Sequence, residues 1–159
     1  MDFVITGGAG FIGSHIAEQL VNTGHNVTII DNLSNGKKEN LSKIIEKIKF
    51  VNGDIRDFDL LKKKLKNIDG VFHQAALASV QESFSKEQEY YDVNVKGTEN
   101  ILKLAKESDF KVVYASSSSI YGNPEKIPIE ETDQKNPINP YAVTKLNDEN
   151  LAIKYAKMG

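Results

Sequence analysis

Two residues near the end of the chain, Tyr141 and Lys145, are of types and at a spacing that could perform acid–base chemistry. A free tyrosine has a pKa of about 10 and is a weak base at neutral pH. In a helix, residues four apart share a face, and a neighbouring ammonium favours the phenolate form of tyrosine. An ordinary helix start with a solvated lysine has the same pattern, so the surrounding sequence must decide between the two interpretations.

A glycine-rich segment, Thr6-Gly7-Gly8-Ala9-Gly10-Phe11-Ile12-Gly13, follows the first apolar run of the chain. The spacing of Gly7, Gly10 and Gly13 serves a tight turn, a close backbone approach and close packing of a helix on a strand. A pyrophosphate can then lie at the amino end of the helix, where free N–H groups and the helix dipole favour anions. Because the segment lies between a strand pattern and a helix pattern, it predicts a dinucleotide-binding loop.

The second apolar run ends in Asp31, which follows the glycine segment by about 20 residues. An acid at this position can accept hydrogen bonds from the ribose hydroxyls of NAD and repels the 2′-phosphate of NADP. Lys37 and Lys38 lie nearby and would weaken that repulsion. We therefore expect NAD as the cofactor. The alternative is an aspartate that only ends a strand and starts a turn.

Alternating strands and helices must position these residues. Apolar runs predict strands at 3–5, 27–30, 50–51, 71–73 and 112–115. Apolar residues at helical spacing predict helices near 12–21, 41–48, 60–65, 86–107 and 141–157. This order implies a doubly wound α/β fold of the Rossmann type, with about five parallel strands in one domain over residues 1–159.

The composition is that of an ordinary globular domain, with 40% hydrophobic and 26% charged residues and a net charge of −2. The lysines are dispersed, so we expect no nucleic-acid partner. The chain has no cysteine, and its three histidines are scattered, so we expect no disulfide and no metal site. No apolar run reaches membrane-spanning length and no signal peptide precedes the first strand, so we expect a cytoplasmic protein without membrane contact.

Six segments, in order and spacing, resemble the extended short-chain dehydrogenase/reductase family, and within it the UDP-sugar 4-epimerases. The resemblance covers the whole chain. Besides the glycine segment it includes Asp31-Asn32-Leu33-Ser34-Asn35-Gly36 with Glu39-Asn40-Leu41, Gly53-Asp54-Ile55-Arg56-Asp57, His73-Gln74-Ala75-Ala76, Asn94-Val95-Lys96-Gly97-Thr98, and Ser116 to Gly122 with the Tyr141 and Lys145 pair.

The resemblance implies a cofactor role for each matching position. The pyrophosphate would lie on the glycine segment, against Gly7, Gly10, Phe11, Ile12 and Gly13. The adenosine ribose would be surrounded by Asp31, Asn32, Ser34, Asn35 and Gly36, and the adenine flanked by Asp54 and Ile55. The nicotinamide half would lie along Gln74, Ala75, Ala76 and Leu77, with Asn94 holding that backbone in place.

The resemblance also implies a hydroxyl partner for Tyr141. In the family this hydroxyl lies four residues before the tyrosine of a Tyr-Gly pair, here Tyr121-Gly122, and counting back gives Ser117. Ser117 would bind the sugar hydroxyl and relay its proton to Tyr141, while Lys145 would serve both Tyr141 and the nicotinamide ribose. Ser79 is a further candidate for substrate contact. Ser116, Ser118 and Ser119 crowd Ser117 and leave the choice of serine open.

The residues after Ser117 favour one reaction of the family. Related nucleotide-sugar 4,6-dehydratases carry an Asp-Glu pair there and decarboxylases a Glu, whereas this chain has Ser118 and Ser119. Epimerisation needs no such acid, so we expect a 4-epimerase of a UDP-hexose or UDP-N-acetylhexosamine. The run 116–122 also resembles glucuronate epimerases. The alternatives are a reductase, dehydrogenase or dehydratase of the family, or a non-catalytic NAD-binding regulator. The presence of all three catalytic candidates, Ser117, Tyr141 and Lys145, favours an enzyme.

Two expectations concern what surrounds the domain. The family's chain continues well beyond the position of Gly159, so we expect this chain to lack the C-terminal substrate domain and to turn over substrate poorly. The sheet would then end on an apolar edge, with one helix face partly uncovered. In the family, helices matching 86–107 and 141–157 form a dimer contact, so we expect a homodimer with Tyr90, Tyr91, Leu102 and Ile153 as candidates for apolar contacts. For Leu102 a position facing the sheet is an equal alternative.

Overall fold

A computed structural model describes residues 1–158 and shows a five-stranded, fully parallel sheet with helices between the strands. The strand order is β3-β2-β1-β4-β5. The strands are β1 (Asp2–Thr6), β2 (Asn26–Asp31), β3 (Ile48–Asn52), β4 (Gly70–His73) and β5 (Lys111–Tyr114). This order confirms the expected doubly wound α/β fold of the Rossmann type.

Six α-helices and one π-helical segment connect and follow the strands in residues 1–158. They are α1 (Phe11–Asn22), α2 (Phe58–Lys64), α3 (Val80–Ser83), α4 (Glu87–Tyr90), the π segment (Tyr91–Lys96), α5 (Gly97–Ser108) and α6 (Pro140–Ala156). The helical run from Glu87 to Ser108 matches the long helix that the sequence predicts, and the π segment inside it was not predicted. None of these helices is long and apolar enough to cross a bilayer.

The expected second helix, around Leu41, Ile44, Ile45 and Ile48, is wrong. Two 3₁₀ turns occupy the region, at Lys38–Leu41 and Ile45–Lys47. Leu41 ends the first of these and Ile44 immediately precedes the second, and both side chains are buried. Ile48 instead starts β3, where it pairs in register with Val27.

The chain divides into two compact units. The first comprises Met1–Ala75 and Asn100–Ala115 and holds the sheet. Right-handed crossovers place α1 on one face of this sheet and α2 on the other. On the α1 face, the sheet, α1 and the 3₁₀ region form a hydrophobic core. Its buried residues are Ile5, Ala9, Ala17, Val27, Ile29, Leu41 and Ile44.

The second unit comprises Ala76–Glu99 and the residues from Ser116 onward. Here α6 packs against α3, α4 and the π segment. Tyr90 is 1% exposed and its hydroxyl donates to the backbone oxygen of Ser79 (2.6 Å). The expectation that Tyr90 and Leu102 contact a second copy is therefore wrong, because both side chains are buried within the chain itself. Tyr91 and Ile153 are exposed.

The α1 face of the first unit is incompletely covered beside β4 and β5. Ile5, Phe72 and Val113 are register partners across β1, β4 and β5, so their side chains share a face. Their exposure rises along this row, from fully buried Ile5 to Val113, which is 53% exposed. Phe72 also lines an apolar groove with Phe11, Ile12, Ile16 and Leu20 of α1. Parallel sheets normally have both faces covered, so we expect this face and the β5 edge to associate with another chain.

A lysine on the open strand tests this conclusion. We expect Val113→Lys to reduce self-association at tens of micromolar, because a charge on an edge strand opposes pairing with another chain. Ile127→Lys is the matched control, since Ile127 is equally apolar and more exposed but lies in a loop. Sedimentation velocity measures both variants. Equal association of wild type and Val113→Lys would show that this edge is not the contact.

Candidate active site

The glycine loop between β1 and α1 is shaped by close backbone contacts in the first unit. Gly7 has φ +68°, a conformation that favours glycine, and a Cβ there would lie 2.6 Å from the backbone nitrogen of Ala75. A Cβ on Gly13 would lie 2.4 Å from the carbonyl oxygen of Gly7. The loop therefore needs glycine at both positions, one for the turn and one for the packing of α1 against the turn.

The amino end of α1 is open to a ligand. Gly10 is the N-cap residue and brings no side chain to the first backbone N–H groups of the helix. Phe11 and Ile12 follow with 78% and 61% of their surface exposed. Backbone donors at a helix start, together with the helix dipole, form an anion site. This geometry suits a pyrophosphate.

Asp31 at the end of β2 connects two parts of the first unit. It is buried, and one carboxylate oxygen accepts from the backbone N–H of Ala9 in the glycine loop (3.0 Å). The other accepts from the backbone N–H of Leu33 (2.8 Å). A carboxylate offers about four acceptor positions, so Asp31 retains capacity for ribose hydroxyls.

Ala9 is held from its carbonyl side as well. Its carbonyl oxygen accepts from the backbone N–H of Lys37 (2.9 Å) and from the side-chain amide of Asn40 (2.8 Å). Gly36 lies against the same place, since a Cβ there would be 2.9 Å from both carboxylate oxygens of Asp31. The segment from Asp31 to Asn40 therefore fixes the centre of the glycine loop. The sequence analysis assigned no such role to Lys37 or Asn40.

Asp54, after β3, has a carboxylate engaged by three neighbours. The Arg56 side chain donates to its two oxygens (2.9 and 2.7 Å), the Arg56 backbone N–H donates to one (2.8 Å), and the Asn32 amide donates to the other (3.0 Å). The hydrogen bond from the Arg56 side chain is the largest cause that holds the pKa of Asp54 at about 2, against partial burial, which raises it. The structure thus joins Asn32 and Asp54, which lie near each other only after folding.

The residues around these two positions are also ordered. Ser34 donates its backbone N–H to the Asn32 side chain (3.0 Å). Ile55 is buried, and its carbonyl oxygen accepts from the side-chain amide of Asn100 (3.2 Å). Asn35 is exposed. Three of the predicted adenosine residues, Asn32, Ser34 and Asp54, are therefore connected by hydrogen bonds in the first unit.

The end of β4 continues into Gln74 and Ala75. Gln74 donates its backbone N–H to the carbonyl oxygen of Thr6 (3.0 Å). The Thr6 hydroxyl is 2.6 Å from Nδ1 of buried His73, a hydrogen bond between neighbouring strands β1 and β4. This bond fixes the backbone that carries Gln74 and Ala75 beside the glycine loop. The sequence analysis did not assign this role to Thr6.

In the second unit, Asn94 holds the chain around Leu77. Its side-chain oxygen accepts from the Leu77 N–H (2.8 Å), and its amide donates to the Leu77 carbonyl (3.1 Å) and to the Thr144 hydroxyl (3.0 Å). Asn94 is fully buried and lies in the π segment. Ala76 precedes Leu77 and is half-buried, while Ser79 caps α3 by accepting from the Glu82 N–H (3.3 Å).

Ser117 begins the 3₁₀ turn Ser118–Tyr121 in the second unit. Its hydroxyl lies 2.8 Å from the Ser119 hydroxyl and accepts from the Ser119 N–H (3.2 Å). Ser116 is oriented differently, because its hydroxyl donates to Glu149 on α6 (2.7 Å). Ser117 is therefore half-buried and held in place, with one hydroxyl neighbour that could also share a proton.

Tyr141 and Lys145 lie one turn apart at the start of α6. The side chain of Asn139 caps this helix by accepting from the Ala142 N–H (2.8 Å), and Pro140 occupies its first position. Tyr141 is half-buried, whereas Lys145 is only 4% exposed. Burial is the largest effect on Lys145 and lowers the pKa of its ammonium.

Glu149, one turn further along α6, is a residue that the sequence analysis missed. One of its oxygens accepts from Ser116 and the other contacts the ammonium of Lys135 in the loop before α6. Glu149 thereby connects Ser116 and the loop that carries Lys135 to the helix that carries Tyr141 and Lys145. The sequence did contain a signal for this role, because a residue four positions after Lys145 on a helix lies on the same face.

Comparison with known proteins shows what the chain resembles. A profile of the NAD dependent epimerase/dehydratase family matches residues 3–159. UDP-glucose 4-epimerase of Halalkalibacterium halodurans is 43% identical over 154 residues, covering 95% of this chain and 45% of that protein. The chain spans about half the length of the curated relatives it matches.

Solved structures agree with these relatives. The UDP-Glc/GlcNAc 4-epimerase of Campylobacter jejuni has a TM-score of 0.94 at 31% identity, over 99% of this chain and 50% of that one. DesIV, a dTDP-glucose 4,6-dehydratase of Streptomyces venezuelae solved with NAD bound, has a TM-score of 0.94 at 32% identity, over 99% of this chain and 52% of that one. The fold is therefore common to epimerases and dehydratases, and the side chains must discriminate between them.

The cluster around Asp54 makes stability dependent on pH. Because the folded pKa of Asp54 is about 2 against an ordinary 3.8, its carboxylate stabilises the fold above about pH 4 and loses that effect as the pH falls towards 2. We expect Asp54→Asn to lower the urea midpoint at neutral pH, with a difference from wild type that shrinks between about pH 4 and 3. Exposed Asp59→Asn is the control. A difference that stays constant with pH would contradict this assignment.

Proposed function

Because the chain belongs to the NAD dependent epimerase/dehydratase family, we propose that it carries the NAD-binding and acid–base residues of a nucleotide-sugar 4-epimerase. The substrate is a UDP-hexose or a UDP-N-acetylhexosamine, and the protein works in the cytoplasm. The observation that carries the proposal is a buried lysine, Lys145, one helical turn after a half-buried tyrosine, Tyr141. UDP-sugar 4-epimerases among the relatives support the same reaction.

The first unit supplies the adenosine and pyrophosphate contacts in this proposal. The pyrophosphate lies on the amino end of α1, with Gly7, Gly10, Phe11, Ile12 and Gly13 around it. Asp31 binds the ribose hydroxyls with the acceptor positions that Ala9 and Leu33 leave available. The remaining adenosine contacts would come from Asn32, Ser34, Asn35, Gly36, Asp54 and Ile55, and Gln74 and Ala75 of the same unit would lie beside the nicotinamide half.

The acid–base chemistry belongs to the second unit. Tyr141, as phenolate, takes the proton of the sugar 4-hydroxyl, directly or through Ser117. The ammonium of Lys145, one helical turn further along α6, would bind the nicotinamide ribose. Bound NAD would supply reversible hydride acceptance at the sugar C4, so no net oxidation would follow. Tyr141 would return the proton to the 4-oxygen once the sugar has turned over.

A dehydratase is the second candidate, because DesIV shares the fold at a TM-score of 0.94. Loss of water needs an acid and a base beside the keto sugar. The positions after Ser117 are Ser118 and Ser119, and Ser119 is hydrogen-bonded to Ser117. Hydroxyl groups at these positions favour the epimerase.

Product analysis separates the functions. The chain is incubated with NAD and labelled UDP-sugars, and the sugars are then released and identified. We expect the C4 epimer without net accumulation of NADH. A 4-keto-6-deoxy sugar would identify a dehydratase, and accumulation of NADH a dehydrogenase. NAD binding without any product would indicate a regulator.

We also propose that the protein forms a homodimer through the helices near 86–107 and 141–157. Tyr91 and Ile153, both in the second unit, are the remaining apolar candidates, with 43% and 48% of their surface exposed.

Substitution of the tyrosine tests the proposed mechanism. We expect Tyr141→Phe to bind NAD with nearly unchanged affinity and to lose at least about a hundredfold in turnover, the range for removing a general acid–base group. Lys145→Ala should lower both the NAD affinity and the rate, because one ammonium serves both. Calorimetry measures binding, and release of labelled epimer measures turnover. Wild-type turnover in Tyr141→Phe would remove Tyr141 from the mechanism.

Asp31 tests the choice of cofactor. NAD should bind more tightly than NADP, because a carboxylate repels the 2′-phosphate. Asp31→Ala should narrow this gap and also destabilise the fold by about 1–3 kcal/mol, since the buried N–H of Ala9 loses its acceptor. Glu39→Ala, which removes an exposed carboxylate nearby, is the control. Equal affinity of the unmodified chain for both cofactors would contradict the assignment.

A further inference from the structure

One buried acidic residue of α6 has no part in the mechanism described above. Asp148 is 0% exposed and lies three residues after Lys145, on the same side of the helix. The distance from Lys145 Nζ to Asp148 Oδ2 is 3.6 Å, and the two side chains are 5% and 1% exposed. A buried ion pair is costly to assemble, so its presence beside a residue with a proposed chemical role calls for a function.

Among the charged groups around Lys145, Asp148 most strongly opposes the effect of burial on the pKa of Lys145. Burial disfavours the ammonium and lowers the pKa of Lys145, while the charge of Asp148 and then that of Glu149 raise it. The carboxylate of Glu149 is also engaged by Lys135 and Ser116. Among the charged side chains on the elements packed against α6, Glu82 pairs with Lys86 and Asp92 with Lys96, while Glu87 and Glu89 of α4 are exposed.

We propose that Asp148 is a positioning residue that holds the buried Lys145 ammonium at its place on α6 and keeps it protonated. Its value for catalysis rests on the function proposed above, in which Lys145 acts as a cation. A neutral amine could not attract the electron-rich oxygens of a ribose in the same way. Asp148 would thus act through Lys145 without touching substrate or cofactor.

The test measures the protonation of Lys145 directly. The side-chain ¹³Cε and ¹⁵Nζ signals of Lys145, assigned by comparison with Lys145→Met, are titrated in wild type and in isosteric Asp148→Asn. We expect the pKa of Lys145 to fall in Asp148→Asn, because the variant removes the charge that most opposes the effect of burial. An unchanged pKa would overturn the proposal.

A matched exposed pair provides the control. Lys86 and Glu82 are 3.5 Å apart, close to the 3.6 Å of the buried pair, but about half of each side chain is in solvent. Glu82→Gln should therefore shift the urea midpoint far less than Asp148→Asn shifts it. Equal shifts in the two pairs would contradict the importance of burial and with it the proposal.

A second measurement applies if Asp148→Asn does not fold. The urea midpoints of Lys145→Met, Asp148→Leu and the double variant form a cycle. Removing one partner leaves a buried charge, whereas removing both leaves an apolar pair, so the double variant should recover most of the midpoint that the single variants lose. Losses that simply add would show that the residues act independently and would overturn the proposal.

NAD titration separates this proposal from the proposed function. If Asp148→Asn lowers the pKa of Lys145, NAD affinity of the variant should rise as the pH is lowered through that pKa, while wild type changes little. A lowered pKa with NAD affinity that does not follow it would remove Lys145 from the cofactor contacts. The role of Asp148 in holding the charge of Lys145 would still be supported by that result.

Discussion

The carboxylate of Asp31 is the interaction on which the cofactor half of the site depends. It accepts from the backbone of Ala9 and Leu33 and so connects the end of β2 to the glycine loop before α1. Gly36 must lack a side chain because Asp31 lies 2.9 Å from where its Cβ would be. A loop of glycines is flexible by composition, and this buried carboxylate stabilises the one arrangement that exposes the start of α1.

The second unit solves a similar problem with buried polar residues of its own. Asn94 holds the backbone of Leu77 from both sides and reaches Thr144 on α6. Lys145 and Asp148 are buried further along the same helix. Each of these groups is costly to bury, and each is compensated by a specific partner. In both units, therefore, polar side chains in the interior hold the backbone or the charge of residues with a proposed chemical role.

The fold and the positions of the candidate residues could be predicted from the sequence, whereas their supporting partners could not. Strand and helix order follow from local periodicity, and the glycine motif is a local pattern. The side chain of Asn40 donates a hydrogen bond to the carbonyl oxygen of Ala9, which lies 31 residues earlier in the chain. This contact exists only once β2 and the 3₁₀ turns have formed. The expected helix at Leu41 failed because register with β2 requires Ile48 in a strand. The sequence predicted that Tyr90 is a surface aromatic residue, whereas in the structure its hydroxyl donates to the backbone oxygen of Ser79.

The most direct test of the account is an NMR titration of the ¹⁵N-labelled chain with NAD, which reports on each backbone amide. If NAD binds at the start of α1 and at the end of β2, the largest shifts should occur from Gly10 to Gly13 and along 31–36, with smaller shifts at Asp54 and Ile55. NADP should cause weaker shifts at the same amides. Amides at the start of α1 that do not respond to millimolar NAD, or shifts confined to other surfaces, would contradict the account.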